Sequence, residues 1–118
     1  MKISHDLENN DKWEVQLRKG CLELAILAAL WEGKLYGLEI LRHLETDSDL
    51  VISEGTVYPL LSRLRRDGAI ESFWRESESG PPRRYYRLTE QGRRSLQMFR
   101  TEWRRFRDAV DQLIGETP

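Results

Sequence analysis

The segment Ser53-Glu-Gly-Thr-Val-Tyr-Pro-Leu-Leu-Ser-Arg-Leu-Arg-Arg-Asp-Gly68 admits few structures. Val57, Leu60, Leu61 and Leu64 recur at i, i+3, i+4 and i+7, the spacing that lines one stripe of an α-helix. Ser53 is placed to cap that helix, since a serine hydroxyl accepts from an otherwise orphaned amide of the first turn. Gly68 is placed to end it, because glycine tolerates the left-handed conformation common just past a helix. Opposite the apolar stripe lie Gly55, Pro59, Ser62 and Arg66, flanked by Tyr58 and Arg63. Pro59 has no amide to offer the Gly55 carbonyl and its ring crowds it, so the first turn is expected to be loose or kinked. One face is built for a core. The other presents a hydroxyl, a phenol, two guanidiniums and a glycine that permits close approach. Reading base edges and phosphates in a DNA groove requires that division. A solvated helix face is the plainer use of the same residues, so the flanking segments decide between them.

Upstream, residues 1–12 read as a polar arm. From Trp13 to Trp31 the pattern is helical, with Leu17, Leu22, Leu24, Ile26, Leu27 and Leu30 around most of the circumference. Such a helix is central to a core or shared with a subunit interface. Gly33 stops it. Tyr36–Glu45 reads as a second helix with Ile40, Leu41 and Leu44 facing inward, followed by a turn at Asp47-Ser-Asp49 and a short extended lead, Leu50-Val-Ile52. After Gly68 the period changes. Ala69–Glu76 reads as a strand, Ser77–Pro82 as a loop by composition, and Arg83–Leu88 as a returning strand rich in β-formers. Arg83 and Arg84 are expected at the tip of this hairpin, and Tyr85 and Tyr86 on opposite faces of it. Three helices and a hairpin, with the third helix running straight into the first strand, is the winged helix-turn-helix order. The fold class is therefore mainly α with a two-stranded β wing.

Thr89 can cap a last helix, in which Gly92 is a mild blemish. Leu96, Phe99, Trp103, Phe106, Val110 and Leu113 follow at spacings of 3, 4, 3, 4 and 3. That narrow a/d seam is how helices pair along a supercoil, so residues 89–114 are expected to form a dimerisation helix appended to a DNA-binding unit at 13–88. Folding back on its own core is the alternative, and a broader stripe is usual for that. Trp103 and Phe106, at a junction of two subunits, could stack a flat aromatic effector, although packing alone also accounts for them.

Charge qualifies the nucleic-acid reading. The chain of 118 residues has a net charge of −1, whereas DNA-binding domains are usually basic. Residues 1–50 hold six Lys/Arg against ten Asp/Glu, and residues 51–118 thirteen against ten. All thirteen are arginine, the residue suited to bidentate phosphate and guanine contacts. No membrane span or export signal is legible, and the lone Cys21 fits a buried hydrophobe in a reducing cytoplasm. His5 and His43 stand apart, no metal-ligand spacing occurs, and Gly80-Pro-Pro leads into no helix. Catalysis, a metal and a cofactor are therefore not expected.

Two strings carry a family likeness: Gly55-Thr-Val-Tyr-Pro59 and Tyr86-Arg-Leu-Thr-Glu-Gln-Gly92, supported by Tyr36-Gly37 and Gly68-Ala-Ile70. From about Leu22 to Leu113 the chain resembles the PadR-like transcriptional regulators, in their small form with a single C-terminal helix. The resemblance implies a winged-helix homodimer on double-stranded DNA at a palindromic operator. Such a dimer usually acts as a repressor, released by a small molecule or by a change in level. It brings Ser53, Gly55, Thr56, Tyr58 and Pro59 to or near the groove and Tyr36 within reach of a phosphate. The helical wheel adds Ser62, Arg63 and Arg66, and the hairpin adds Arg83 and Arg84. The near-neutral charge and the absence of lysine beyond residue 34 depart from the family's trend. They keep a second reading in play, a winged-helix adaptor that binds protein without strong DNA binding.

Overall fold

The structure, a computed structural model, describes residues 21–47 and 53–115. The polar arm, the first part of the helix beginning at Trp13, and the lead at 48–52 lie outside these residues. Residues 21–29 form α1, which closes in a turn before Gly33. The chain continues through β1 (Leu35–Tyr36), α2 (Gly37–Arg42) with a wider π-type turn over His43–Asp47, α3 (Glu54–Arg66), β2 (Ile70–Ser77), β3 (Gly80–Leu88) and α4 (Glu90–Gly115).

The apolar stripes meet in one core. Leu22, Ile26 and Leu27 of α1 and Leu30 in the turn after it pack with Ile40, Leu41 and Leu44, with Val57, Leu61 and Leu64 of α3, and with Ile70, Tyr86 and Leu88 of the sheet. Leu60 is only partly buried at its edge. Ser53 stands at the expected cap position with extended backbone, but its hydroxyl lies 3.2 Å from the Thr56 hydroxyl and caps no amide. The Ser53 carbonyl anchors the turn instead, accepting from the amides of Thr56 and Val57 at 3.0 and 3.1 Å. α3 runs helically through Pro59 from Glu54 onward. Its end is as expected. Gly68 has φ +81°, its amide donates to Arg65 O at 3.1 Å, and the Ala69 amide donates to Leu64 O at 3.0 Å. These two bonds satisfy carbonyls that the helix end would otherwise leave open.

Two expectations for the wing are corrected. The sheet has three strands, in the order β1-β3-β2, because Leu35 and Tyr36 pair antiparallel with Tyr86 and Tyr85. Moreover, the loop expected over Ser77–Pro82 shrinks to a turn at 78–79, with Gly80, Pro81 and Pro82 already in β3. The register slips between Arg75 and Ser77, so the two prolines fall where the ladder is interrupted and no amide is missed. Arg83 and Arg84 consequently sit within the strand, opposite Arg75 and Trp74, and not at the tip.

Gly92 proves essential to the packing. A Cβ built there would stand 1.9 Å from the Ala69 carbonyl oxygen, so the first turn of α4 rests on backbone at the start of β2. Thr89 fastens the same junction. Its hydroxyl accepts from the Gly92 amide at 3.0 Å and lies within donating distance of Gly68 O (2.6 Å) and Ala69 O (3.1 Å). The Gln91 side chain adds a bond, its Nε2 donating to Asp67 O at 3.1 Å. Gly92→Ala should therefore destabilise by about 1–3 kcal/mol through overpacking, and Leu61→Ala by about 2–5 kcal/mol through a core cavity. Urea unfolding measures both, and a parent-like midpoint for Gly92→Ala would show that α4 can retreat from β2 at no cost.

Candidate nucleic-acid interface

Because Val57, Leu61 and Leu64 are fixed in the core, α3 turns Ser53, Gly55, Thr56, Tyr58, Pro59, Ser62, Arg63 and Arg66 to the exterior, all exposed. Every residue that the sequence places on this face is there. Arg65 is exposed as well, on a position the wheel did not single out. The arginines differ in their freedom. Arg63 reaches back to α1, where its guanidinium pairs with Glu23 at 3.2 Å. Among the described residues, Arg65 and Arg66 have no carboxylate partner. Arg66 is thus the freer of the two guanidiniums assigned from the wheel, and Arg63 must exchange a partner to meet a phosphate or base.

Tyr58 lies across the start of α2. A Cβ at Gly37 would come within 2.6 Å of its ring and hydroxyl, so only glycine leaves room for the phenol. Partial desolvation of the phenol, then the negative charge of Glu54 and the neighbouring Tyr86, push Tyr58 above its ordinary pKa. It therefore remains a neutral hydroxyl, able to donate, well beyond neutral pH.

The wing divides its residues between two faces. Tyr86 and Leu88 point into the core, as does Ile70 across the ladder. Arg84 shares that inner side: its Nε donates to Ser72 Oγ at 3.1 Å and its guanidinium lies 5.8 Å from the Tyr86 ring centre. Arg83, Tyr85 and Arg87 alternate to the outer face, where Arg87 pairs with Glu71. The two arginines expected together therefore point in opposite directions. Tyr36, expected near a phosphate, is a member of β1 with its ring against Tyr85 and beneath Arg83. Trp74, with 68% of its surface exposed, and Arg75, directly across from Arg83, are further wing residues the sequence reading passed over. Strand alternation could have found Arg75 once the register was known.

α4 carries the second surface. Of its seam, Leu96 is buried in the chain's own core and Val110 is half-buried, while Phe99, Trp103, Phe106 and Leu113 are exposed. Among the described residues, grooves run between the α1 segment and α4. One, of about 430 Å³, is lined by Leu24, Ala28, Trp31, Leu96, Gln97, Arg100, Trp103, Arg104 and Arg107. Another, of about 410 Å³, is lined by Glu23, Leu24, Phe99, Glu102, Trp103 and Phe106. Trp103 borders both, and Phe106 only the second. Among the described residues no group of His, Cys, Asp and Glu is placed to hold a metal ion, and no helix is long and apolar enough to cross a membrane.

Gly37→Ala should displace the Tyr58 ring and return its phenol toward the ordinary pKa. Ultraviolet titration of the four tyrosines, with Tyr58→Phe to assign the shifted one, tests this; an unchanged profile would place the ring elsewhere.

A family model described as transcriptional regulator PadR-like matches residues 26–98. The fold is similar to a PadR family transcriptional regulator from Eggerthella lenta, with 31% identity, 98% of this chain and 100% of that chain covered, and a TM-score of 0.84. It is similar to a PadR-like transcriptional regulator from Bacillus cereus, with 33% identity, 86% and 99% covered, and a TM-score of 0.77. Bacillus subtilis PadR in complex with operator DNA aligns at 25% identity over 66% of this chain and 45% of that one, with a TM-score of 0.62.

Proposed function

The chain belongs to the PadR-like family of transcriptional regulators, and from that premise we propose that it acts as a homodimer on a palindromic DNA operator, most simply as a repressor. The observation that carries this reading is the division of α3: three of its apolar residues are locked in the core, while on the far side stand exposed hydroxyls and guanidiniums, of which those of Arg65 and Arg66 have no carboxylate partner among the described residues. Each protomer would offer that face to a major groove, with Arg66 and, after release from Glu23, Arg63 as the forked donors. Ser53, Thr56, Tyr58 and Ser62 supply short polar contacts, while Gly55 and Pro59 keep the approach close. Arg83 would reach the flanking backbone from the outer face of the wing. Arg84, held by Ser72, would reach it only with its terminal nitrogens. The operator-bound relative from B. subtilis supports the same ligand class.

The exposed seam of α4 supports the dimer. Phe99, Trp103, Phe106 and Leu113 fall on one narrow stripe, and pairing two such stripes removes them from water. Two-fold symmetry then sets half-sites about one helical turn apart, roughly 34–36 Å. A flat aromatic effector would enter beside Trp103, with Phe106 on one side, and loosen or tighten the spacing between the two α3 helices. Work of this kind is done in the cytoplasm and needs no metal, cofactor or catalytic step.

Fluorescence anisotropy with DNA from upstream of the protein's own gene, across a salt series, tests the reading. Saturable, sequence-dependent binding at two protomers per site is expected. Weak, salt-sensitive binding that is equal for all sequences there and in a random-sequence selection would favour the protein-binding adaptor. Arg66→Ala should weaken operator binding by about 1–3 kcal/mol if it makes a bidentate base contact. Arg63→Ala should cost less, because the wild-type side chain first gives up Glu23. Equal losses for the two would sink that ranking.

A further inference from the structure

The outer face of the wing is an aromatic row spanning all three strands. Tyr36 of β1 meets Tyr85 of β3 edge-on, with ring centres 5.5 Å apart, and Tyr85 stacks on Phe73 of β2 at 5.9 Å. The backbone register sets this row, since both Tyr36 and Phe73 are the direct partners of Tyr85. An arginine covers each end. The Arg83 guanidinium lies 4.5 Å from the centre of the Tyr36 ring, and that of Arg87 lies 4.8 Å from the centre of Phe73. Their circumstances differ. Arg87 has Glu71 as a counter-charge. Arg83 has no carboxylate partner among the described residues, and its direct cross-strand neighbour is another cation, Arg75. Like charges directly opposite on a sheet repel. What draws Arg83 to a fixed place is the face of Tyr36.

Tyr36 is itself rigidly placed. Its amide donates to Glu39 Oε1 at 3.0 Å at the entrance to α2, and its backbone is paired to Tyr85. It therefore belongs to the helix-turn-helix and to the wing at once. The geometry points to Tyr36 as a positioning residue: its ring, and not its hydroxyl, acts on DNA by holding Arg83 at a set distance from α3, ready for a phosphate. This rests on the DNA-binding reading above and deepens it. It replaces the expectation that Tyr36 itself reaches a phosphate. A held guanidinium loses less side-chain freedom on binding, and a cation over an exposed aromatic face gains about two- to fivefold in equilibrium terms.

The test compares Tyr36→Phe, Tyr36→Leu, Arg83→Ala and the double variant Tyr36→Leu/Arg83→Ala in the full chain. The probe is the tightest duplex recovered from a random-sequence selection, with anisotropy read across a salt series. Tyr36→Phe should match the parent in affinity and salt slope. Tyr36→Leu and Arg83→Ala should each lose about two- to fivefold, and Arg83→Ala should lower the slope by about one, the mark of a lost phosphate contact. The double variant should lose no more than Arg83→Ala alone. A loss in Tyr36→Phe as large as in Tyr36→Leu would restore the hydroxyl contact and overturn the proposal, as would full additivity in the double variant. A second readout needs no DNA and no leucine variant. The Arg83 side-chain protons should be shifted upfield by the Tyr36 ring in the NMR spectrum of the parent and of Tyr36→Phe. Random-coil positions there would overturn the proposal even if DNA binds. Failure of every duplex to bind the parent, with Arg83 still ring-shifted, would reject the regulator reading while leaving the Tyr36–Arg83 contact established.

Discussion

A carbonyl oxygen facing a glycine holds this architecture together. Where Ala69 opens β2, its oxygen points at the first turn of α4, and only the missing side chain of Gly92 lets the helix come that close. Thr89 converts the proximity into bonding, with one hydroxyl serving the α4 amide and the carbonyls of Gly68 and Ala69. The end of α3, the beginning of β2, the end of β3 and the beginning of α4 all meet within these few atoms. Any change in that spacing would tilt the C-terminal helix against the helix proposed to read DNA. The two functions proposed for distant parts of the chain, dimerisation and recognition, would therefore share one fulcrum.

Much of this was legible from residue spacing. The stripe Val57, Leu61 and Leu64 could only be a helix face, Gly68 could only be an economical stop, and both stand as expected. Local signals of that kind carry their own partners within a turn or two. What escaped depended on contacts between segments far apart in sequence. β1 is two residues long, too short for any period, and exists because Tyr85 and Tyr86 offer it a ladder. Gly92 looked like a weak helix residue because its reason lies on Ala69, some twenty positions earlier. Ser77–Pro82 has the composition of a loop, yet a slip in register accommodates both prolines inside a strand.

The candidate interface followed the same rule. Which side of α3 is open was readable from the wheel, since burial of one stripe dictates the exposure of the other. Which arginine on that side is free was not readable, because Glu23 sits on α1 and no pattern in α3 points to it. Of the wing arginines the sequence singled out Arg83 and Arg84 and passed over Arg75, and adjacent residues in a strand face opposite ways, so Arg83 and Arg84 divide between an outer aromatic row and an inner hydrogen bond. Tyr58 gained meaning only from Gly37, whose lack of a side chain makes the bed on which the phenol lies.

The all-arginine make-up of α3, the wing and α4 carries a chemical corollary. With no lysine after residue 34, enzymes that acetylate amines have nothing to neutralise on these elements, and amine-directed cross-linkers have nothing to capture. A guanidinium also keeps its proton throughout the physiological range. The positive charge of this surface is thus permanent, insensitive both to acidity and to the commonest charge-removing modification. In the proposed dimer, control over it would come from geometry: from what Glu23 holds, from how far apart the two copies of α3 stand, and from the proposed effector beside Trp103.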